Sequence, residues 1–210
     1  MFVDRTDAGR KLARKLEQYR NKNTVILAIP RGGVPVALEV SNHLDALLSV
    51  LIARKLPFPS NPEAGFGAIA EDGSTVITDF PGMLPDTDTV ESIKREQIEK
   101  TAYLRTVLRR DRPIPNIGKM TVILIDDGIA MGSTMRAAIR MCRALHAGAV
   151  IAASPVSGSS AAELISGEAD ETVILEMPSQ FHAVAQVYQH WRDMTDQEVI
   201  EILANAKNAY

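Results

Sequence analysis

Cysteine is almost missing from this chain: Cys142 is the only one in 210 residues. No intrachain disulfide can form, and no cysteine tetrad is available for structural zinc. Histidine is sparse too, and His43, His146, His182 and His190 show no ligand spacing matched by a carboxylate partner. We read them as surface or packing residues. No apolar run reaches the ~20 residues needed to cross a bilayer, and the opening Met1-Phe2-Val3-Asp4-Arg5-Thr6-Asp7 lacks the apolar core of a signal peptide. Charge of one sign is also lacking. A net charge of -3, with 23% charged residues, argues against a surface that coats nucleic acid or membrane. Neither Gly-x-Gly-x-x-Gly nor Gly-Lys-Ser/Thr occurs, which removes the usual dinucleotide fingerprint and the P-loop. The expectation is one domain over residues 1–210, in a reducing, cytoplasmic compartment, with no nucleic-acid and no membrane partner.

What is present is an alternation of short apolar runs and helical patterns. Asp4 to Tyr19 reads as an opening surface helix with Leu12 and Leu16 at i, i+4. Thr24 to Ile29 is a buried strand cut off by Pro30-Arg31-Gly32-Gly33. A helix from Val34 to His43 and a strand-like run from Leu47 to Arg54 complete a first strand-helix-strand unit. Pro57, Pro59 and Pro62 make residues 55–62 an exposed loop, and Asp72-Gly73 closes a β-hairpin of Ala64–Ala70 with Ser74–Thr78 that projects from the main sheet, its tip solvated. Together residues 55–78 form a flexible loop and hairpin. A long amphipathic helix capped by Asp86 or Asp88 runs to Arg109. The second unit is the clearest: Thr121 to Ile125 as a strand, a glycine-bearing turn, and a helix from Ser133 to about His146. Ala149–Ala153 and Thr172–Leu175 add two buried strands around a short helix near Ala161–Ile165. The fold class is therefore α/β, a parallel central sheet flanked by helices.

Chemistry concentrates in the turn Asp126-Asp127-Gly128-Ile129-Ala130-Met131-Gly132-Ser133-Thr134. In an open parallel sheet, ligands sit beyond the carboxyl ends of the strands, where this turn falls. The following helix offers free N–H groups and the positive end of its dipole, Gly128 and Gly132 allow a phosphate close to the backbone, and Ser133 and Thr134 add hydroxyls. Asp126 and Asp127 suit ribose hydroxyls or the water shell of magnesium. A sugar phosphate is the ligand these residues describe. An ordinary strand-to-helix connection with an Asp cap is the plain alternative, but adjacent acids plus Gly-Ser-Thr exceed what a cap requires. Arg31, Gly32 and Gly33 form a second anion loop, for which a plain turn with a solvated arginine is the alternative. Arg54 and Lys55 could reach the same anion or be solvated loop charges. In the C-terminal stretch, Tyr188 and Trp191 are i, i+3 neighbours if helical and, with Phe181, could stack on a planar base; packing onto the core is the alternative reading.

The Asp126–Thr134 segment resembles the diphosphoribosyl-phosphate motif of type I phosphoribosyltransferases, and Pro30-Arg31-Gly32-Gly33-Val34-Pro35-Val36-Ala37 resembles their pyrophosphate loop. The resemblance spans roughly residues 4–200 and is closest to a group of bacterial and archaeal members of unassigned acceptor. Asp4-Arg5, Arg54-Lys55-Leu56, Asn61-Pro62-Glu63 and Ala68 to Gly73 carry it. It implies the type I fold with a small C-terminal hood at 176–210, and transfer of 5-phosphoribosyl from phosphoribosyl diphosphate (PRPP) to a nitrogenous, purine-like base with release of pyrophosphate.

In that picture Asp126 and Asp127 are catalytic and hold Mg2+ through water. Gly128 to Thr134 take the 5'-phosphate, Arg31, Gly32, Gly33, Arg54 and Lys55 the pyrophosphate, and Phe181, Tyr188 and Trp191 the acceptor. A homodimer is the expected assembly, and a non-proline cis peptide is expected near Arg31-Gly32. Met131 departs from the pattern, standing where the motif has Thr. The rival reading is a non-catalytic module that binds PRPP or a nucleotide as a signal. A third reading, a sugar-phosphate phosphatase or kinase, would need a second Asp two residues after the first or a nucleotide triphosphate loop, and Gly128 stands two residues after Asp126, which ranks it below the other two.

Overall fold

The structure is a computed structural model that describes residues 1–78 and 82–209, so Tyr210, the last residue of the expected hood, lies outside the described residues. In chain order the elements are α1 (Arg5–Lys15), β1 (Thr24–Ala28), α2 (Gly33–Leu44), β2 (Leu47–Val50), β3 (Ala53–Phe58), β4 (Asn61–Ala70), β5 (Thr75–Ile77), α3 (Thr87–Arg109), β6 (Thr121–Ile125), α4 (Ser133–Ala144), β7 (Ala149–Val156), α5 (Ser159–Ser166), β8 (Glu171–Glu176) and α6 (Asp196–Asn205).

Five strands pair in parallel in the order β2-β1-β6-β7-β8. Side chains of a strand alternate between faces, so β1 feeds two cores. Val25 and Leu27 meet Met135, Ile139 and Cys142 of α4, while Ile26 and Ala28 meet Leu12 of α1, Val36 and Val40 of α2 and Val199 of α6. Both faces being covered, β1 and β6 are continuous apolar runs, the pattern that made them readable in the sequence. The edge strand β8 differs from expectation: all six of its residues are only half-buried, whereas the other edge strand, β2, buries three of its four.

Other departures cluster in the second sheet. The run from Leu47 to Arg54 splits, β2 staying in the parallel sheet and β3 opening a separate antiparallel one in the order β3-β4-β5. Residues 55–62, expected as a loop, belong mostly to β3 and β4. The prolines are accommodated because β3 is an edge strand with register shifts on either side of Pro57, and Pro62 sits at the start of β4. The β4–β5 hairpin is present, but its Ala68, Ala70 and Val76 pack into the core on the α4 side. Its tip is not wholly solvated: Glu71 and Arg109 form a buried ion pair, with Arg109 also donating to Val50 O. The opening helix likewise buries a full face, Ala8, Gly9, Leu12 and Ala13. α3 carries the expected cap, Asp86 accepting from Thr89 N at 2.9 Å. The C-terminal stretch from Tyr188 to Thr195 is not helical, yet the Tyr188 and Trp191 rings still meet, with centroids 5.2 Å apart. The Pro30–Arg31 peptide is cis, in the region where a cis bond was expected.

Candidate functional site

Strands β1 and β6 are neighbours, and each ends in a turn that leads into a helix, so the two candidate anion loops lie side by side at the carboxyl edge of the sheet. The turn after β6 is held at its middle by β7: Ile129 N donates to Val156 O at 2.9 Å and Gly158 N to Ile129 O at 3.1 Å. Gly132, at φ 82°, then swings the chain into α4 and supplies no side-chain cap. The first-turn N–H groups of α4 therefore point out of the helix with its positive dipole end and no capping side chain to satisfy them. A cavity of about 250 Å³ opens there, lined by Asp126, Gly128 and Ile129 to Met135, and faced across the gap by Lys55, Glu63 and Gly65. Gly128 is required by close approach, since a Cβ there would fall 2.3 Å from Val184 Cγ1.

The two acids are in opposite conditions. Asp127 is buried and ion-paired: Arg5 Nε donates to its Oδ2 at 2.7 Å, with the two side chains 11% and 12% exposed. Tyr188 Oη donates to its backbone carbonyl at 2.6 Å. α1 thus brings a cation onto Asp127. Asp126 borders the 250 Å³ cavity and among the described residues its carboxylate makes no ion pair; its Oδ1 accepts from Asp127 N at 2.8 Å. Burial, then the neighbouring charge of Asp127, holds its carboxyl well above the usual range.

The loop after β1 comes close to Asp127. A Cβ on Gly32 would stand 1.8 Å from Asp127 Oδ2, and one on Gly33 would stand 2.6 Å from Ile125 O. Between this loop and the C-terminal stretch lies a second cavity of about 210 Å³, lined by Arg5, Arg31, Gly32, Asp127, Val184 and Trp191, with Asp193 and Met194. Asp126 and Asp127 thus open on different cavities.

Arg31 is 52% exposed and leans 3.6 Å from Asp196. Arg54 and Lys55 point to opposite sides of β3. Lys55 Nζ donates to Glu63 O and faces the first cavity. Arg54 borders neither cavity; its Nε donates to Gln97 Oε1 at 3.0 Å, and its pKa is lowered by burial first and then by the charge of Arg31. Of the aromatic trio, Trp191 lines the second cavity, whereas Tyr188 is buried and Phe181 packs beside Val156 and Tyr188 without lining either cavity.

Sequence reasoning missed the parts of the site that come from the chain ends. Arg5 stands out in the sequence only as part of Asp4-Arg5, and no local pattern marks a partner 122 residues away. Val184, which fills the space above Gly128, carried no signal.

Residues 4–189 match the model of the phosphoribosyl transferase domain family. Two Mycobacterium tuberculosis proteins, from strains CDC 1551 and H37Rv and each named "Putative phosphoribosyl transferase", are 42% identical over 209 residues, 98% of this chain. They are longer, and the chain spans 47% of their length. A crystal structure of TT1426 from Thermus thermophilus superposes with a TM-score of 0.81 at 34% identity, covering 98% of both chains.

Proposed function

Given that the chain belongs to the phosphoribosyltransferase family, we propose that it transfers a 5-phosphoribosyl group from PRPP to a nitrogenous, purine-like base and releases pyrophosphate. The observation that carries this reading is the uncapped N-terminus of α4 directly behind two adjacent carboxylates, at the sheet edge shared with the Gly32-Gly33 loop. A 5'-phosphate fits the first cavity, where the N–H groups of Met131 to Thr134 and the two hydroxyls supply donors around a dipole end. The diphosphate then extends toward Gly32 and Arg31 at the second cavity, with Lys55 beside the 5'-phosphate in the first and the ribose over the two acids.

In the reaction the C1–O bond to diphosphate breaks and its electron pair leaves with pyrophosphate. A nitrogen lone pair of the base forms the new bond to C1, and the base gives up the proton on that nitrogen. Positive charge grows on the ribose and negative charge on the leaving group, so the groups that count are those matched to the transition state. Asp127 and Asp126 hold the ribose hydroxyls beneath the developing cation, and Arg31 and the loop N–H groups receive the departing diphosphate. Trp191 and Val184 wall the second cavity, which offers a flat heterocycle a surface to stack on; Tyr188 and Phe181 support that wall from behind.

Magnesium fits this donor set. Among the described residues no group of three or more His, Cys, Asp or Glu is gathered to hold a metal, which suits an ion carried in by the diphosphate and met by one or two carboxylates. Asp126, with no ion pair among the described residues, would be the principal protein contact, and Asp127 would act through water. The ion would neutralise the leaving diphosphate.

The proposal includes a cytoplasmic homodimer. Buried, unpaired Cys142, its thiol pushed up to about 12 by burial, suits a reducing compartment. Among the described residues no helix is long and apolar enough to cross a membrane. Light scattering tests the dimer.

Pyrophosphate release from PRPP over a panel of purine and pyrimidine bases tests the transfer, together with Asp127→Asn. That substitution keeps the shape and removes the charge. Turnover is expected to fall by about 10²-fold while the PRPP dissociation constant moves much less. PRPP binding without pyrophosphate release for any base would leave a binding module in place of an enzyme. Unchanged turnover in Asp127→Asn would remove the role given to that carboxylate.

A further inference from the structure

We infer that Arg5 is a positioning residue of the PRPP site, gripping Asp127 by one carboxylate oxygen so that the other is presented to the ligand. This rests on the donor-binding reading above and names a residue which that reading did not require. The geometry is specific. Oδ2 is the oxygen that takes the Arg5 Nε bond at 2.7 Å, and it is also the atom wedged against Gly32, 1.8 Å from where a Cβ would stand. Oδ1 takes no N–H donor from any described residue, the Asp126 carboxyl stands within hydrogen-bond reach of the Asp127 carboxylate, and Asp127 lines the 210 Å³ cavity. One oxygen is fixed and the other is left for a hydroxyl.

Arg5 is itself fixed from a third direction. Its guanidinium lies 3.9 Å from the centroid of Trp191, and Nη1 donates to Arg192 O at 2.9 Å. A residue that only neutralised Asp127 could equally be lysine. A planar fork is needed to cover the ring face, reach the backbone carbonyl and hold the carboxylate at once. The start of α1, the turn after β6 and the stretch after Tyr188 therefore meet on one side chain. Tyr188 Oη, donating to Asp127 O at 2.6 Å, keeps the backbone of that residue from rotating with its carboxylate.

The test is a double-substitution cycle read by calorimetric PRPP affinity in magnesium and by turnover, for the parent, Arg5→Met, Arg5→Lys, Asp127→Asn and Arg5→Met with Asp127→Asn. In the parent background Arg5→Met is expected to lose about tenfold or more in turnover and a smaller factor in affinity, with Arg5→Lys recovering part of the loss. In the Asp127→Asn background the same Arg5 change should cost less than about twofold, because no charge remains to be oriented. Melting temperatures are read alongside: Arg5→Met leaves a buried carboxylate unpaired and should melt lower, and the double variant should regain that loss without regaining turnover.

Losses that add across the cycle, or an unchanged affinity and turnover in Arg5→Met, would overturn the inference. If Arg5→Met does not fold, Arg5→Lys takes its place in the cycle, with a smaller loss expected in the parent background and none in the Asp127→Asn background; equal losses in the two backgrounds would overturn the inference. A parent that binds PRPP but releases no pyrophosphate sinks the transfer reading and leaves this one to stand or fall on the affinities. A parent that binds no PRPP overturns both.

Discussion

The nine residues from Asp126 to Thr134 form one turn with two unlike ends. At the first end Asp127 is enclosed by Arg5, by Tyr188 and by the missing side chain of Gly32, contacts that come from α1, from the C-terminal stretch and from the loop after β1. At the second end Met131 is 44% exposed and the first turn of α4 has no side-chain cap. The enclosed end fixes a charge before any ligand arrives, as transition-state stabilisation by preorganised groups requires. The open end waits for an anion to complete it. A turn built this way separates the group that must not move from the surface that must be reachable.

Crowding at the enclosed end gives the sharpest way to break the contrast. Gly32 has φ -63°, a conformation alanine adopts freely, so only the collision with Asp127 Oδ2 opposes Gly32→Ala. With Arg5 holding the carboxylate, Asp127 can yield only by leaving the Arg5 bond and moving toward the second cavity. The expected outcome is a destabilisation of ~1–3 kcal/mol, as for overpacking elsewhere, and a turnover loss of about 10²-fold from a carboxylate displaced by about an ångström. Thermal melting and pyrophosphate release check it; a variant with parental turnover would show that the position of Asp127 is not critical.

What the sequence made legible divides along similar lines. β1 and β6 were readable because both faces of each strand are buried and every residue is apolar or nearly so. The turn after β6 was readable because its chemistry is local: two acids, two glycines and two hydroxyls within nine residues. The second sheet was not. Pro57 and Pro62 argue against strands wherever the ladder is regular, and only the edge position and register shifts of β3 make room for them. Arg5 and Tyr188 were illegible as partners of Asp127 for a different reason. They lie 122 and 61 residues from it, and one-dimensional spacing carries no trace of such a contact. The Tyr188–Trp191 pairing was expected on helical grounds and arises without a helix, because Tyr188 lies against Phe2 and Trp191 against Arg5.

A second comparison lies within the acid pair, and pH separates its members. Asp126 titrates well above its unfolded value because of burial and the charge of Asp127. Below the unfolded carboxyl pKa of about 3.9 both states carry the proton, so the group has no effect on stability. As pH rises past that value the unfolded chain releases its proton first, and stability falls until pH passes the folded pKa. Asp126→Asn abolishes that fall. The variant should match the parent in melting temperature near about pH 3 and exceed it near about pH 7. A variant less stable than the parent at neutral pH would mean that the Asp126 carboxylate is stabilised by contacts other than those seen.

The smallest effect belongs to the open end. Met131→Thr places a hydroxyl among the N–H groups of Gly132, Ser133 and Thr134, on the rim of the 250 Å³ cavity. Because Met131 is 44% exposed and outside the core clusters, the swap leaves no cavity, and stability should stay within ~0.5 kcal/mol of the parent. The hydroxyl gains a charge-assisted bond to phosphate, but it must first give up water, so the net gain is at most ~1.5–3 kcal/mol and smaller if the phosphate is already saturated by backbone donors. An affinity increase for PRPP of severalfold, up to about tenfold, is the expected calorimetric result. It should appear in the dissociation constant and leave turnover nearly unchanged, because the 5'-phosphate carries the same charge before and during bond breaking and the new contact binds ground state and transition state alike. Equal or weaker affinity would show that residue 131 does not face the phosphate, and the open end would then begin at Gly132.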